Sequence, residues 1–346
     1  MLISRSEQPV IVADRPWEKD GSLAAAAAFV EADARAVRVY YRVHLRDAPQ
    51  HDMLCMARSD DLVHWDKPDL GDGTNVVMRG AGREKDWGTF CPYTILHNAS
   101  AARTDAAWTM LYWDRPAADT PPGFCIATSG DGIQWQPHAG DPIITNMNDA
   151  GSMIEAIPAS RLPLGQAAYY VYQQTWKYNA SLPTDRDNLK GLHRRISIWR
   201  AGSLTGRWIG PITILEPDDN DPADVQFYWL TPFHRDQGYG GFLLCHHTTD
   251  QTMDVQLVTS DDGWTWRRAL DRRPLLGLGE RGRFDCGMAT LTNAPIVWQG
   301  RVIAFYTGRP TVHDGKPHHP DAAPTQPGIG IAAFTDELLG ACGPAA

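Results

Sequence analysis

Three stretches of the chain carry one turn-forming signature. In 58-RSDDLVHW-65, 128-TSGDGIQW-135 and 259-TSDDGWTW-266, Ser-x-Asp-x-x-x-Trp follows a short apolar segment. Signatures that recur far apart in one chain point to repeated units, each stacking on its neighbours to bury its faces. The preceding segments, MLCMAR at 53–58, GFCIAT at 123–128 and VQLVT at 255–259, are strand-like. Two further strand-like segments lie upstream of each. They are AVRVYYRV at 36–43, AWTMLYWD at 107–114 and YGGFLLCHH at 239–247, then LAAAAAFV at 23–30, PYTILH at 92–97 and VQFYWL at 225–230. Weaker copies occupy 153–208, ending on Trp208, and 287–336. The pattern predicts an all-β fold, a five-bladed β-propeller with four-stranded antiparallel blades. One domain spans 1–346, with blades near 20–70, 87–140, 149–212, 224–270 and 285–336.

The repeated residues read as scaffold. Asp61, Asp131 and Asp262 can accept backbone N–H bonds in a tight turn, Ser59, Ser129 and Ser260 can brace it, and Gly132 and Gly263 permit positive φ. Trp65, Trp135 and Trp266 are expected to pack between sheets. An active site needs different groups in different blades, so its residues belong among the acids that do not repeat. The first strand of each blade should line the central axis, where the small side chains of LAAAAAFV allow close approach. The chain enters these strands through 17-WEKDG-21, 86-DWGTFCPY-93, 148-NDAGSMIEA-156, 221-DPADVQF-227 and 280-ERGRFDCG-287, all of them acidic.

A net charge of -9 gives no support to a nucleic-acid surface. No window is apolar enough for a membrane span, the first residues lack a secretory core, and the cysteines show no metal-ligand spacing, so a cytoplasmic protein with buried thiols is expected. No phosphate loop or dinucleotide signature is present, and no cofactor is required. The oligomeric state stays open.

Through its blades and turns, over roughly 15–336, the chain resembles the five-bladed glycoside hydrolase superfamily that includes arabinanases, β-xylosidases and fructan-cleaving enzymes. The resemblance implies carboxylates at inner-strand starts facing a sugar pocket. It places the nucleophile or base at Asp20, although the family's Asp-Pro signature is absent there. It places the general acid at Glu155 in 154-IEA-156, with the following proline displaced to Pro158. Such a pair suits glycoside cleavage, which needs one protonated and one ionised carboxyl. Asp224 and Asp285 are candidates to orient the sugar or tune the acid. Arg83, Asp149 and Arg283 are further candidates for contacts to substrate, as are Trp87, Trp176, Tyr178, His193 and Trp229. Turn capping, ion pairing and packing are the plain alternatives for each. The long 173–195 segment is expected to form a rim or lid. His246, His247 and the 313-HDGKPHH-319 loop lack zinc spacing and read as solvated. A structural calcium remains an expectation by resemblance only. The expected partner is a small glycoside or oligosaccharide. A noncatalytic carbohydrate- or protein-binding propeller, or a glycosyltransferase or phosphorylase, is the alternative.

Overall fold

The computed structural model describes residues 1–81, 90–98, 107–145, 148, 150–157 and 167–340. Among these, regular structure is β, with helical residues confined to short 3-10 turns such as Pro16–Glu18 and Asp336–Leu339. No described helix is long and apolar enough to cross a membrane. Strand β1 (Leu2–Arg5) joins the last sheet, described below. The first sheet follows the order β2 (Ser22–Val30), β3 (Val37–His44), β4 (Met53–Ser59) and β5 (Val76–Arg79). A second contains β6 (Cys91–His97), β7 (Trp108–Asp114) and β8 (Gly123–Ser129), with β9 (Gln136–Pro137) and β10 (Ile144–Thr145) both on β8. The third runs β11 (Gly151–Glu155), β12 (Tyr169–Tyr178), β13 (Leu192–Ala201) and β14 (Ile209–Leu215).

The remaining strands form one larger sheet in two parts. β15 (Val225–His234), β16 (Tyr239–His247) and β17 (Thr252–Ser260) carry β18 (Arg267–Arg268) and β19 (Pro274–Leu276) on β17. Then come β20 (Met288–Thr290), β21 (Ile296–Trp298), β22 (Arg301–Arg309) and β23 (Gly328–Phe334), with β1 antiparallel to β23. Among the described residues, only the parallel pairing of Met253 with Met288 connects the parts. Every other pairing of the described strands is antiparallel, so short turns suffice within each unit.

Sheets need both faces covered, and here the cover is the neighbouring sheet. Successive apolar layers lie between the first and second sheets around Tyr40 and Trp135, and between the second and third around Trp113 and Trp208. The next lies around Tyr172 and Trp266, and another around Phe242 and Tyr306. The last, around Phe305 and Trp298, returns to β2–β4 and closes a ring. Fully burying one such side chain contributes about 1.5–3 kcal/mol.

The repeated turns behave as the sequence predicts. Asp131 Oδ1 accepts the N–H groups of Ile133 and Gln134 at 2.8 and 2.9 Å, and Asp262 Oδ1 accepts those of Trp264 and Thr265 at 2.8 and 2.7 Å. Asp61 does the same for Val63 and His64, both at 2.7 Å. Burial works upward on Asp131 and Asp262, but these bonds outweigh it and hold both carboxyls below the usual range. Gly132 and Gly263 have φ of 75° and 74°, while Leu62 adopts 65° in the equivalent place. Two of the three turns are also bonded from the neighbouring sheet. Tyr40 Oη donates to the Gly132 carbonyl at 2.9 Å and Tyr172 Oη to that of Gly263 at 2.7 Å.

The inner strands β2, β6, β11, β15 and β20 approach one another around a central channel, and short side chains join them. Thr94 Oγ1 accepts the Met153 N–H at 3.0 Å, and Ser152 Oγ donates to the Leu230 carbonyl at 2.5 Å. Thr231 Oγ1 donates to Leu291 at 3.1 Å and Thr292 Oγ1 to Ala25 at 2.5 Å. Larger residues would hold the strands too far apart for these bonds. This is the role served in β2 by the buried run Ala25–Ala28.

Candidate active site

The channel opens into cavities at both ends. At the leading end, where inner strands begin, a cavity of about 200 Å³ is lined by Ala24, Arg42, Tyr228, Trp229, Arg309 and His313 among others. A second, of about 530 Å³, shares Arg309 with it and adds Asp20, His44, Arg46 and Asp47. The trailing end has a separate cavity of about 460 Å³, bounded by Phe29, His97, Glu155 and His234.

This separation overturns the expected pairing of Asp20 with Glu155. Asp20 precedes β2 at the leading end, exposed and at φ 62°. Glu155 is the last residue of β11 and borders the trailing cavity. A strand advances about 3.3 Å per residue, so the four steps from Gly151 carry Glu155 roughly 13 Å from the leading end. The two carboxylates therefore do not face one pocket.

The other acids are held in the framework. Asp285 is fully buried, accepts the Tyr306 hydroxyl at 2.9 Å and sits 3.4 Å from Arg5 and 3.6 Å from Arg283. Arg283 also donates to the Ser6 carbonyl at 2.6 Å. Both were expected at the substrate, and both instead anchor the N-terminal segment. Asp224 accepts the Thr249 N–H at 3.4 Å, while its own carbonyl takes the Thr248 N–H at 3.0 Å, so it braces the β16–β17 connection. Glu18, two residues before Asp20, is wholly buried and bonded to Lys67 and the Tyr41 hydroxyl, each at 2.6 Å.

Trp229 does line the leading cavity, with its ring edge-on to Tyr93 at 5.1 Å. Trp176 and Tyr178 lie at the C-terminal end of β12, beyond its pairing with β11, and border none of the cavities described here; Trp176 Nε1 is bonded to Gln174 at 2.8 Å. Arg83, Trp87 and Asp149 lie outside the described residues.

His193 illustrates how alternation decides access. Adjacent strand residues point to opposite faces, and it is Arg194 that turns inward, 1% exposed. Its guanidinium grips Asp187 through Nη1–Oδ2 at 2.6 Å and Nη2–Oδ1 at 3.1 Å. Asp187 belongs to the 179–191 connection, which reaches over the neighbouring sheets. Thr248 Oγ1 bonds the Pro183 carbonyl at 2.8 Å, and Arg186 pairs with Asp314 at 3.0 Å. The expected rim is thus pinned by two other parts of the chain.

Two of the histidines, His246 and His313, are not solvated as expected. His246 is fully buried, its ring centroid 4.6 Å from that of His313. His313 bonds the Tyr228 hydroxyl at 3.2 Å and Gln251 at 3.3 Å. Burial, then neighbouring positive charge, lowers both histidines, His246 to about 2 and His313 to about 4. Asp187, His246 and His313 offer metal-ligating atoms within 4.8 Å of one another. Calcium, which takes six or more oxygens, does not fit two imidazoles and one carboxylate. A transition metal meets a different obstacle. Arg194 Nη1 approaches His246 Nδ1 at 3.4 Å, and a guanidinium only donates, which assigns the imidazole proton to Nε2. With both Asp187 oxygens also facing it, Arg194 occupies the cation's place.

Several cavity residues were not foreseen. Arg42 and His44, two apart on β3, share a face, and the buried Asp52 receives both, at 2.6 and 2.8 Å, along with the Leu45 N–H at 2.8 Å. Charged side chains in the otherwise apolar AVRVYYRV were the available signal. Arg309 ends β22 as Arg42 nears the end of β3, a correspondence visible only once the strands are aligned.

The molecule has the fold of the glycoside hydrolase propellers. One similar structure is described only as a glycoside hydrolase; at 13% identity the alignment covers 96% of this chain and 92% of that one, with a TM-score of 0.64. A structure from the GH130 family of mannoside phosphorylases, reported to contain hydrolases that target β-1,2 mannosidic linkages in Candida mannan, aligns over 99% and 96% at 13% identity, TM-score 0.61. A fructofuranosidase from Schwanniomyces occidentalis aligns over 96% of this chain and 60% of its own, at 12% identity and TM-score 0.57. No protein-family model and no curated protein sequence matches the chain.

Proposed function

We propose that the protein is a five-bladed propeller glycosidase that cleaves a small glycoside or oligosaccharide in the leading cavities. The observation that carries this reading is the convergence of Asp20, Asp47, Arg42, Arg309, Tyr228 and Trp229 on the end of the channel where inner strands begin, in a fold shared with glycoside hydrolases. The blades correspond to β2–β5, β6–β10, β11–β14, β15–β19, and β20–β23 with β1. The closed succession of apolar layers supports that division.

Glycoside cleavage needs two carboxyl groups beside the scissile bond, and Asp20 and Asp47 both line the larger cavity. Asp20 serves as nucleophile or base, and Asp47 as the acid. Trp229 offers an aromatic edge beside the smaller cavity, and Arg42, fixed by Asp52, offers donors to sugar hydroxyls. A reducing, cytoplasmic setting goes with this reading, since Cys55, Cys91, Cys125, Cys245 and Cys286 are free and buried.

Three single variants, assayed on a panel of aryl and alkyl furanosides and pyranosides, test it. Asp20→Asn should lower turnover by about 10²–10⁴-fold. Asp47→Asn should do the same for alkyl leaving groups and spare activated aryl ones, which need little protonation. Glu155→Gln, at the trailing end, should stay within about twofold of wild type, because no cleavage step passes through it. A large loss in Glu155→Gln with an unaffected Asp20→Asn would move the site to the other end of the channel.

A further inference from the structure

The leading cavities gather three arginines, Arg42, Arg46 and Arg309. Arg42 has a carboxylate partner in Asp52 at 2.6 Å. For Arg46 and Arg309, no side-chain hydrogen bond or ion pair exists among the described residues. Asp20 and Asp47 share the larger cavity with them, yet neither carboxylate reaches ion-pair distance.

A guanidinium left without an acceptor in a concave site is an electrostatic cost that a protein ordinarily removes with a carboxylate or a carbonyl. Here the neighbours increase it. Burial, then the positive charges of Arg42 and Arg46, pushes Arg309 down to about 10. The fold also holds Arg46 in place. Gly315 has φ 83°, and a side chain there would meet the Arg46 guanidinium at 2.9 Å, so this arginine packs directly against the 313–316 turn. Arg309 lines both cavities, so a group bound to it sits where the smaller opens into the larger. The Tyr228 hydroxyl adds a polar group at the small cavity, beside the neutral His313. A guanidinium fork is matched by a planar or tetrahedral set of anionic oxygens.

We propose that Arg309, flanked by Arg42 and Arg46, receives an oxyanion of the carboxylate or phosphate class borne by the sugar, which makes the substrate an acidic glycoside. The inference rests on the leading cavities being the sugar site. The anion enters with the ring, fixes its orientation through paired N–H···O bonds, and neutralises the arginines as it does so. Neutral sugars of the same shape leave those donors unpaired.

Titration calorimetry on the full chain compares methyl glucuronoside with methyl glucoside, glucose 6-phosphate with glucose, and inorganic phosphate alone. At least one acidic sugar should bind ten-fold or more tightly than its neutral counterpart, and that margin should disappear in Arg309→Gln and shrink in Arg46→Gln. Circular dichroism and melting behaviour like wild type would show that the variants fold; Arg309→Lys, which keeps the charge but loses the fork, should recover part of the margin. Equal binding of acidic and neutral sugars, or a margin that survives Arg309→Gln, overturns the proposal. Binding of inorganic phosphate alone, with the sugar pairs indistinguishable, also overturns it by making the anion a free co-ligand. The two readings fail separately. Cleavage of neutral glycosides that ignores Arg309→Gln removes only the acidic-sugar assignment, and acid-selective binding without cleavage of any glycoside removes only the glycosidase.

Discussion

Neutral imidazoles in a buried network make stability depend on pH. His313 is lowered to about 4, first by burial and then by Arg194, against an unfolded value of about 6.5. Above about 6.5 neither state takes a proton at this site. As the pH falls from about 6.5 through about 4, the unfolded chain binds protons that the folded chain refuses, so stability falls with falling pH. His246, lowered to about 2, extends the loss in the same direction. The urea midpoint should drop between pH 7 and pH 5, and His313→Gln should flatten that slope; equal slopes in the two proteins would mean that His313 is not held neutral. None of this was legible in 313-HDGKPHH-319. The loop composition is that of a solvated turn, and the partners Asp187, Tyr228, His246 and Gln251 come from other parts of the chain. The same limit applied to Asp285, whose burial depends on Arg5 and Tyr306.

At the scale of elements, what is local was readable. The Ser-x-Asp turns are built from bonds that span two or three residues, so residue types and spacing contain nearly all the information. The tyrosine bond from the next sheet was not visible, because it depends on which strands become neighbours. It gives a direct measure of coupling between sheets. Tyr172→Phe removes only the hydroxyl that reaches the Gly263 carbonyl at 2.7 Å, and should cost about 1 kcal/mol by urea denaturation. Asp262→Ala, which strips two backbone N–H groups of their acceptor, should cost about 1–2 kcal/mol. Because both changes act on one turn, the double variant should lose less than the two losses added together; full additivity would show that the hydroxyl does not brace the turn. Strand alternation explains a failure at this same scale. His193 and Arg194 are adjacent, and nothing local in 192-LHRRISIW-199 says which of them faces inward.

For the whole molecule, the number of repeats indicated a ring but did not say which end of its channel holds chemistry. Asp20 and Glu155 both lie beside inner strands in the sequence, and only the direction of travel along each strand puts them at opposite ends. Closure of the ring depends on another long-range match. Strand β1 pairs with β23, Leu2 opposite Phe334 and Arg5 opposite Ala332, and the N-terminal amine bonds Thr335. Arg5 then reaches the carbonyls of Gly277 and Leu278 at 2.6 and 2.8 Å and lies 3.4 Å from the fully buried Asp285. Removing residues 1–6 would take away the outer strand of the final sheet and leave Asp285 with Arg283 at 3.6 Å as its nearest charge. Losing one partner of a buried pair costs up to about 3–5 kcal/mol, less where a second cation stays beside it, and an uncovered edge strand templates pairing with other chains. The truncated protein should therefore unfold at lower urea and associate as its concentration rises, as read by light scattering. Arg5→Ala should show part of the stability loss without the association, since β1 still covers β23. A truncated chain that stays monodisperse with an unchanged midpoint would mean that the sheets hold the ring closed without β1.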